Sequence, residues 1–260
     1  KTGPIDLHGR RLRTRQLDAL GYDAKTGDPL YKHWPFFLGQ RSDSGCAFGL
    51  YYDTLAECSF DFGAEHDNYH GRYRATEIAD GDLDAYLFAG PTLREALARY
   101  VAAIGGTALP PRWTLGYANT AMALADDPDA QARIREFLAH AESDAFPLSS
   151  FHFGSGYTSR GKRRYVFTWN REKFPDAKAL NERFHRHGMH LVANIKPCLL
   201  DDHPAYEDVK AKGAFITNGR TGEPVVEPFW DAVGSHVDFT HPEGVRWWQE
   251  HSRAQRLEQA

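Results

Sequence analysis

The residues of this chain that are best suited to chemistry stand at the ends of two apolar segments. Lys196 ends the apolar run 189–196, where an ionisable side chain either lines a wet cleft or is paired, and the cleft is the favoured interpretation. His152 lies near the end of the run 146–153, where it could point into the same cleft or be a packed core histidine. These positions predict a binding cleft, and no clear nucleophile–base pair accompanies them.

Trp230 adds an aromatic surface to the candidate residues. It lies between Pro228 and Asp231 in an irregular segment, so a cleft platform and plain packing are equally consistent with it. Aromatic rings stack on the C–H faces of sugars, and the chain has 6 Trp, 12 Tyr and 16 Phe. Core packing is still the commoner use of such rings. Aromatic content is therefore only a hint of sugar binding.

Signatures of several other chemistries are missing from the sequence. It contains no Gly-x-Ser-x-Gly nucleophile elbow, no Gly-x-Gly-x-x-Gly fingerprint and no Walker pattern. His66 and His70 lie in a turn-like segment, and His185 and His187 lie on a polar helix face, so zinc binding is the minority interpretation. We therefore expect no metal and no cofactor.

The two apolar segments and the sequence between them predict a βαβ unit. Residues 176–187 carry apolar side chains at helical spacing, with Asp176 as the N-cap and Gly188 as the stop. The order strand, helix, strand makes the two strands parallel. Ligands bind at the carboxyl ends of parallel strands, so 152–157 and 194–198 should border one site.

The sequence pattern changes along the chain. Residues 1 to about 90 contain short apolar or alternating runs separated by turn signals, as in an antiparallel β-sandwich. Thr92 and Glu95 then form a capping box that predicts a helix start. After the stiff segment 109–111, strand and helix patterns alternate. They predict a growing α/β layer or barrel that stops before it could close.

Composition excludes several classes of partner. The 260 residues have a formal net charge of -4 and no long basic run, so we expect no nucleic-acid partner. No apolar run approaches the roughly 20 residues that span a membrane. Three widely spaced cysteines form neither a disulfide framework nor a zinc pattern. A reduced compartment is the simpler interpretation, and we predict a cytoplasmic protein.

Motifs along nearly the whole chain occur in a characteristic order, namely 22–33, 80–84 before the helix start, 108–116, 167–170, 173–176, Lys196 with Pro197, 238–242, and Trp247 with Trp248. In order and spacing they resemble glycoside hydrolase family 31, the α-glucosidase and α-xylosidase family. The resemblance implies the later part of an N-terminal β-sandwich with its linking helix over 1–107. It implies the first strands and helices of an incomplete TIM (β/α)8 barrel over 108–260.

Family membership would imply an activity as well as a fold. Members are retaining, exo-acting α-glycosidases, with some transglycosylases and lyases, and they use an Asp nucleophile and an Asp general acid/base. Two carboxyl groups about 5 to 5.5 Å apart suit this double displacement. In the family the nucleophile follows the next barrel strand, so both catalytic residues are expected beyond Ala260. The chain alone is then expected to be inactive.

The resemblance also implies substrate-binding positions. Asp28 and Tyr31 would lie near the aglycone, and Trp230 would form a wall around the cleaved sugar. Gly154 stands where glucose-specific members carry a carboxylate that holds the far hydroxyls of the sugar, and Lys196 stands where many members have Asp. The full set of predicted substrate-binding residues is Asp28, Tyr31, His152, Gly154, Tyr157, Lys196 and Trp230.

The exchanges at Gly154 and Lys196 change charge and hydrogen-bond polarity at the pocket floor. They suggest an α-linked oligosaccharide or glycoside other than plain α-glucose, such as an α-galactoside or a sugar with an acidic group. Two other classes stay open. One is a non-catalytic carbohydrate-binding module, and the other is a structural α/β domain in which Lys196 and His152 are merely buried. A homo-oligomer of the intact protein is also left open.

Overall fold

The chain divides into two units, Lys1–Ala108 and Leu109–Ala260, each with its own sheets and core. A computed structural model describes residues 6–14, 33–65, 69 and 71–254. The domain boundary expected from the sequence, between 107 and 108, lies one residue from this division. The assignment of the two parts as a sandwich domain portion and a barrel domain portion with this boundary stays a prediction.

Two antiparallel sheets of three strands form the first unit. The strands are β1 (Arg11–Thr14), β2 (Phe36–Gln40), β3 (Ala47–Tyr52), β4 (Cys58–Asp61), β5 (Ala75–Ile78) and β6 (Ala85–Gly90), in the orders β1-β4-β5 and β2-β3-β6. Phe37 and Tyr52 from one sheet pack with Cys58 and Phe60 from the other. This layering confirms the sandwich expected from the sequence, although β1 and β5 were not predicted.

Helix α1 (Leu93–Ile104) follows β6 and begins as the capping box predicts. The Thr92 side chain accepts a hydrogen bond from the Glu95 amide at 3.3 Å, and Gly105 ends the helix with a φ of 92°. The buried residues of the helix are Ala96 and Tyr100, whereas the apolar residues Leu93, Leu97, Val101 and Ile104 are exposed. Small Ala96 allows close approach to the sheet.

A parallel sheet organises the second unit. Its elements are β7 (Tyr117–Thr120), α2 (Met122–Asp126), α3 (Ala130–Ser143), β8 (Leu148–His152), the short hairpin β9 (Ser159–Arg160) and β10 (Arg163–Arg164), α4 (Ala177–Arg186) and β11 (His190–Val192). The strand order is β11-β8-β7, with both pairs parallel. The βαβ unit is therefore confirmed. The strand pattern expected after 109–111 begins later than residue 112, because Arg112–Leu115 is a 3-10 helix and β7 starts at Tyr117.

Amphipathic packing explains why α3 and α4 cover this sheet. Asp176 accepts a hydrogen bond from the Ala179 amide at 2.9 Å, and Gly188 has a φ of 70°, as the sequence predicts for the two ends of α4. Fully buried members of the core are Ile134, Leu138, Phe151, Phe174, Leu180 and Phe184. Helix and strand thus share one core, which fixes the carboxyl end of β8.

The last part of the second unit is a separate antiparallel sheet. It contains β12 (Cys198–Leu200), α5 (Tyr206–Ala211), β13 (Glu227–Pro228), β14 (Val233–His236) and α6 (Pro242–Ser252), with strand order β12-β14-β13. The described residues form no closed barrel, in line with the predicted incomplete fold. In the same residues, no helix is both long and apolar enough to cross a membrane.

Candidate functional site

A cavity of about 360 Å³ opens at the carboxyl ends of β8 and β11. Its lining residues are Met122, Gly154, Ser155, Arg164, Asn194, Lys196, Trp230 and Asp231. A second pocket shares five of these residues and also involves Cys198 and Phe229. We call the two together the strand-end cleft. Its position agrees with the rule that ligands bind at the carboxyl ends of parallel strands.

Gly154 forms the point where the chain turns out of β8. Its φ is +60°, in the left-handed region that favours glycine, and its carbonyl accepts a hydrogen bond from the Asn194 amide at 3.1 Å. Two residues later, the backbone of Gly156 lies against Ala125. A Cβ on Gly156 would lie only 2.6 Å from the Ala125 carbonyl carbon. Both glycines are therefore required by the local geometry of the cleft floor.

Lys196 lies in the connection between β11 and β12, not in the strand. The sequence predicted a strand through residue 196, but β11 ends at Val192, whose partner His152 is the last residue of β8. Beyond Val192 the two segments are still joined by the hydrogen bond from the Asn194 amide to the Gly154 carbonyl, and Lys196 follows two residues later at the cleft. Lys196 is half-buried there, and its ammonium lies 5.2 Å from the ring centre of Phe229 and 5.4 Å from that of Trp230.

A four-residue loop between β13 and β14 presents Trp230. Pro228 pairs with Val233, and the Phe229 amide donates to the Ala232 carbonyl at 2.7 Å. This closed turn leaves the Trp230 side chain at the cleft, where the residue is 43% exposed. An aromatic face and a lysine ammonium are thus combined in one wall.

Arg164 connects three segments around the cleft, and sequence reasoning missed it. Its guanidinium donates to Asp231 at 2.9 Å and to Asp126 at 3.0 Å. The Asp231 side chain is only 9% exposed and that of Arg164 is 26% exposed. The contact ties β10 to the loop of Trp230 and to the end of α2. These partners lie 67 and 38 residues from Arg164, a separation that leaves no local signal in the sequence.

Beneath the cleft, two buried side chains support the loop that follows β8. The Lys173 ammonium donates to the Gly156 carbonyl at 3.1 Å and to the Ser159 hydroxyl at 2.8 Å, and burial lowers the pKa of Lys173. The Tyr157 hydroxyl donates to the Asn194 carbonyl at 3.0 Å. This second contact joins the two strand ends directly.

The structure brings together three of the residues predicted from the sequence, namely Gly154, Lys196 and Trp230. Tyr157 is buried and lies below the cleft, so it supports the cleft through Asn194 instead of lining it. His152 is half-buried, lies outside the cleft lining and has its Nε2 3.2 Å from the Ser150 hydroxyl oxygen. Asp28 and Tyr31 lie outside the described residues. The roles of all seven in substrate binding stay predictions.

Metal binding has no support from the part of the chain that the structure describes. The described residues contain no group of three or more His, Cys, Asp or Glu side chains arranged to hold an ion. The cleft lining itself carries one carboxylate, Asp231, which is engaged with Arg164. What the cleft offers is therefore hydrogen bonding, ion pairing and aromatic contact.

The thiol of Cys198 should be unreactive at ordinary pH although it borders the cleft. Burial raises the pKa of Cys198 to about 12, so the reactive thiolate is scarce at pH 8. Burial also raises the pKa of Cys58, whereas Cys46 is exposed. We expect iodoacetamide at pH 8 to modify Cys46 and to leave Cys198 and Cys58 unmodified, as read by peptide mass spectrometry. Equal modification of Cys46 and Cys198 in the folded protein would contradict this environment.

Comparison with protein families matches both parts of the chain. Residues 107–259 match the family model described as "Glycosyl hydrolases family 31 TIM-barrel domain". Residues 1–61 match the model described as "Glycosyl hydrolase 31 N-terminal galactose mutarotase-like domain". The first match alone covers more than half of the chain.

Individual relatives agree with these matches. The chain is 28% identical over 236 residues to Alpha-xylosidase XylQ of Lactiplantibacillus pentosus, which is 90% of this chain and 29% of that protein. It is 27% identical over 256 residues to Alpha-glucosidase 2 of Bacillus thermoamyloliquefaciens, which is 96% of this chain and 30% of that protein. The chain therefore spans less than a third of the length of these relatives.

A solved structure shares the fold. The Flavobacterium johnsoniae GH31 dextranase FjDex31A, complexed with glucose, matches with a TM-score of 0.84 and 23% identity. The match covers 100% of this chain and 30% of the dextranase chain. At that identity the likeness shows the fold alone.

Proposed function

The chain belongs to glycoside hydrolase family 31, and from this premise we propose that it carries the sugar-binding part of an α-glycosidase. The proposed activity is retaining, exo-acting hydrolysis of a terminal α-linked sugar by the whole protein. The strand-end cleft would hold that terminal sugar. Relatives named as an α-xylosidase and an α-glucosidase support this class of substrate.

The observation that carries the proposal is the composition of the strand-end cleft. Its cavity of about 360 Å³ falls within the range of roughly 300–1,000 Å³ usual for small-molecule sites. Trp230 offers a ring on which a sugar can stack, while Lys196 and Asn194 offer hydrogen-bonding groups. A polar wall beside an aromatic face is the chemistry that a sugar ring requires.

The position of the catalytic pair is part of the proposal. A retaining mechanism needs two carboxyl groups about 5 to 5.5 Å apart. Asp231 lines the described cleft, but its ion pair with Arg164 suits the support of the Trp230 loop better than nucleophilic attack. We therefore assign both catalytic carboxylates to residues outside the described part of the chain.

The floor and wall of the cleft support a proposal for the class of sugar. Gly154 has no side chain to hold hydroxyl groups, and Lys196 places a positive charge nearby. An α-galactoside, or a sugar with an acidic group that pairs with Lys196, is the proposed departure from plain α-glucose. A carbohydrate-binding module that uses the same cleft without hydrolysis is the alternative, because the lining carries a single, ion-paired carboxylate.

Replacing Lys196 tests the role of the cleft in binding. Lys196→Ala should weaken the affinity for a methyl α-glycoside by about tenfold or more, since hydrogen bonds to charged groups contribute roughly 1.5–3 kcal/mol. Its melting temperature should stay nearly unchanged, because Lys196 is only half-buried. Calorimetric titration with gluco, galacto, xylo and glucurono α-glycosides measures the affinity, and scanning calorimetry measures stability.

Lys178→Ala is the matched control, because Lys178 is exposed on α4 and outside the cleft lining. It should change neither affinity nor melting. Unchanged affinity in Lys196→Ala would contradict the proposed site, and loss of its thermal transition would assign Lys196 a structural role. Nitrophenyl α-glycosides given to the protein expressed from its complete reading frame separate hydrolase from binding module. Turnover supports the hydrolase, and binding without turnover supports the module.

A further inference from the structure

Met122 occupies the space that a side chain at position 154 would need. A Cβ added to Gly154 would lie 2.9 Å from Met122 Cγ and 3.5 Å from its Sδ. Met122 is the first residue of α2 and follows directly from the end region of β7, so it reaches the cleft from the neighbouring parallel strand. The residue is 43% exposed and lines the same cavity as Gly154. Met122 and Gly154 therefore form one continuous patch, which we call the Met122–Gly154 wall.

This wall has almost no hydrogen-bonding capacity in its side chains. A thioether is a weak acceptor with no proton to donate, and glycine contributes no side-chain group. The Gly154 carbonyl already accepts the Asn194 amide. Ser155 and Asn194 are the polar neighbours of this wall. The charged cleft residues are Lys196, Arg164 and Asp231, so the apolar surface of the wall is confined to Met122 and Gly154.

The difference in polarity between the Met122–Gly154 wall and the other cleft residues would discriminate between the edges of a bound sugar ring. A sugar hydroxyl pressed against the Met122–Gly154 wall would lose its hydrogen bonds to water and gain none in return, which is unfavourable. A C–H or methyl group at the same place would instead make dispersion contacts with the polarisable thioether. The wall thus favours a ring carbon that carries no hydroxyl.

We infer that the Met122–Gly154 wall selects a terminal α-linked deoxy sugar, whose deoxygenated edge lies against the Met122 thioether. This inference rests on the proposed function, because it assumes that the strand-end cleft holds the terminal sugar. It assigns Met122 as a specificity-determining residue, which the sequence did not single out. It also narrows the proposed substrates to sugars that lack one ring hydroxyl group.

The methionine content of the chain provides a direct probe. The sequence has 2 methionines, Met122 in the cleft and Met189 in the core, where it is 7% exposed. With methyl-¹³C methionine in the chain, a bound sugar should shift the Met122 methyl resonance and leave that of Met189 unchanged. The ligands are methyl α-glucoside, methyl α-galactoside and their 2-, 3-, 4- and 6-deoxy derivatives.

We expect the removal of the hydroxyl at one ring position to tighten binding by about fivefold, while removal at each other position weakens it. Met122→Gln, close in shape but able to hydrogen-bond, should abolish the advantage at that position alone. Met122→Leu, which keeps the wall apolar, should preserve it. Thermal melting of both variants verifies that they are folded, which the partial exposure of Met122 favours.

The outcomes separate this inference from the proposed function. If the parent glycosides bind but every deoxy derivative binds more weakly, the deoxy-sugar inference is wrong while the sugar site stands. If Met122→Gln changes the affinity for all ligands alike, Met122 does not determine specificity. If no glycoside, parent or deoxy, binds or shifts the Met122 methyl, both the proposed function and the inference fail.

Discussion

Gly156→Ala should destabilise the second unit by about 1–3 kcal/mol and remove ligand binding at the strand-end cleft. The new Cβ would lie 2.6 Å from the Ala125 carbonyl carbon and 2.7 Å from its oxygen. Both are backbone atoms and cannot rotate away, so α2 or the loop after β8 must shift. Overpacking of this kind typically costs 1–3 kcal/mol. Urea unfolding followed by tryptophan fluorescence measures the stability change.

Gly219→Ala is the matched control for this prediction. A Cβ on Gly219 meets no atom within 4 Å, and the residue has no positive φ. Its substitution should leave the free energy of unfolding within about 0.5 kcal/mol of the parent. If Gly156→Ala were equally neutral, the close packing of the cleft floor against α2 would be wrong.

Arg164→Met should disorder the wall that carries Trp230 and lower affinity for an α-glycoside by about tenfold or more. The substitution leaves Asp231, which is 9% exposed, without its guanidinium partner. Arg164 is itself 26% exposed, so solvent screening reduces the stability cost to about 1–2 kcal/mol. Calorimetric titration should show the loss of affinity, and the tryptophan fluorescence of the protein should shift as the loop of Trp230 opens.

Two further variants test whether the effect comes from the ion pair. Arg133→Met breaks an exposed pair with Glu136 at 2.6 Å and should change stability by less than about 0.5 kcal/mol. Asp231→Asn in the Arg164→Met background removes the unpaired charge and should recover part of the stability. An Arg164→Met protein with normal affinity would show that the contact does not hold the Trp230 loop.

Local signals explain the parts of the fold that the sequence predicted. Asp176, Gly188 and the apolar spacing between them fix the ends and the buried face of α4 without reference to distant residues. The capping box of Thr92 fixed the start of α1 in the same way. The buried face of α1, with Ala96 and Tyr100, depends on tertiary packing and had no such local signal.

The candidate site was predictable only where the chemistry was visible in one segment. Lys196 stood out as a charge after an apolar run, and Gly154 as a turn after another. Arg164 gave no such signal, because its role depends on ion pairs with Asp126 and Asp231, which are distant in the sequence. Met122 gave none either, since a single methionine in a short helix is usually core. Both residues became interpretable only when the fold placed them at the cleft.

Calorimetric titration of the parent chain and Trp230→Ala with paired methyl α- and β-glycosides tests the central claim most directly. The strand-end cleft is predicted to bind at least one α-glycoside saturably and more tightly than its β-anomer. Trp230→Ala should lose that binding while keeping its melting temperature, because Trp230 is 43% exposed. Saturable binding that is indifferent to Trp230, or no binding of any α-glycoside, would contradict a sugar site in this cleft.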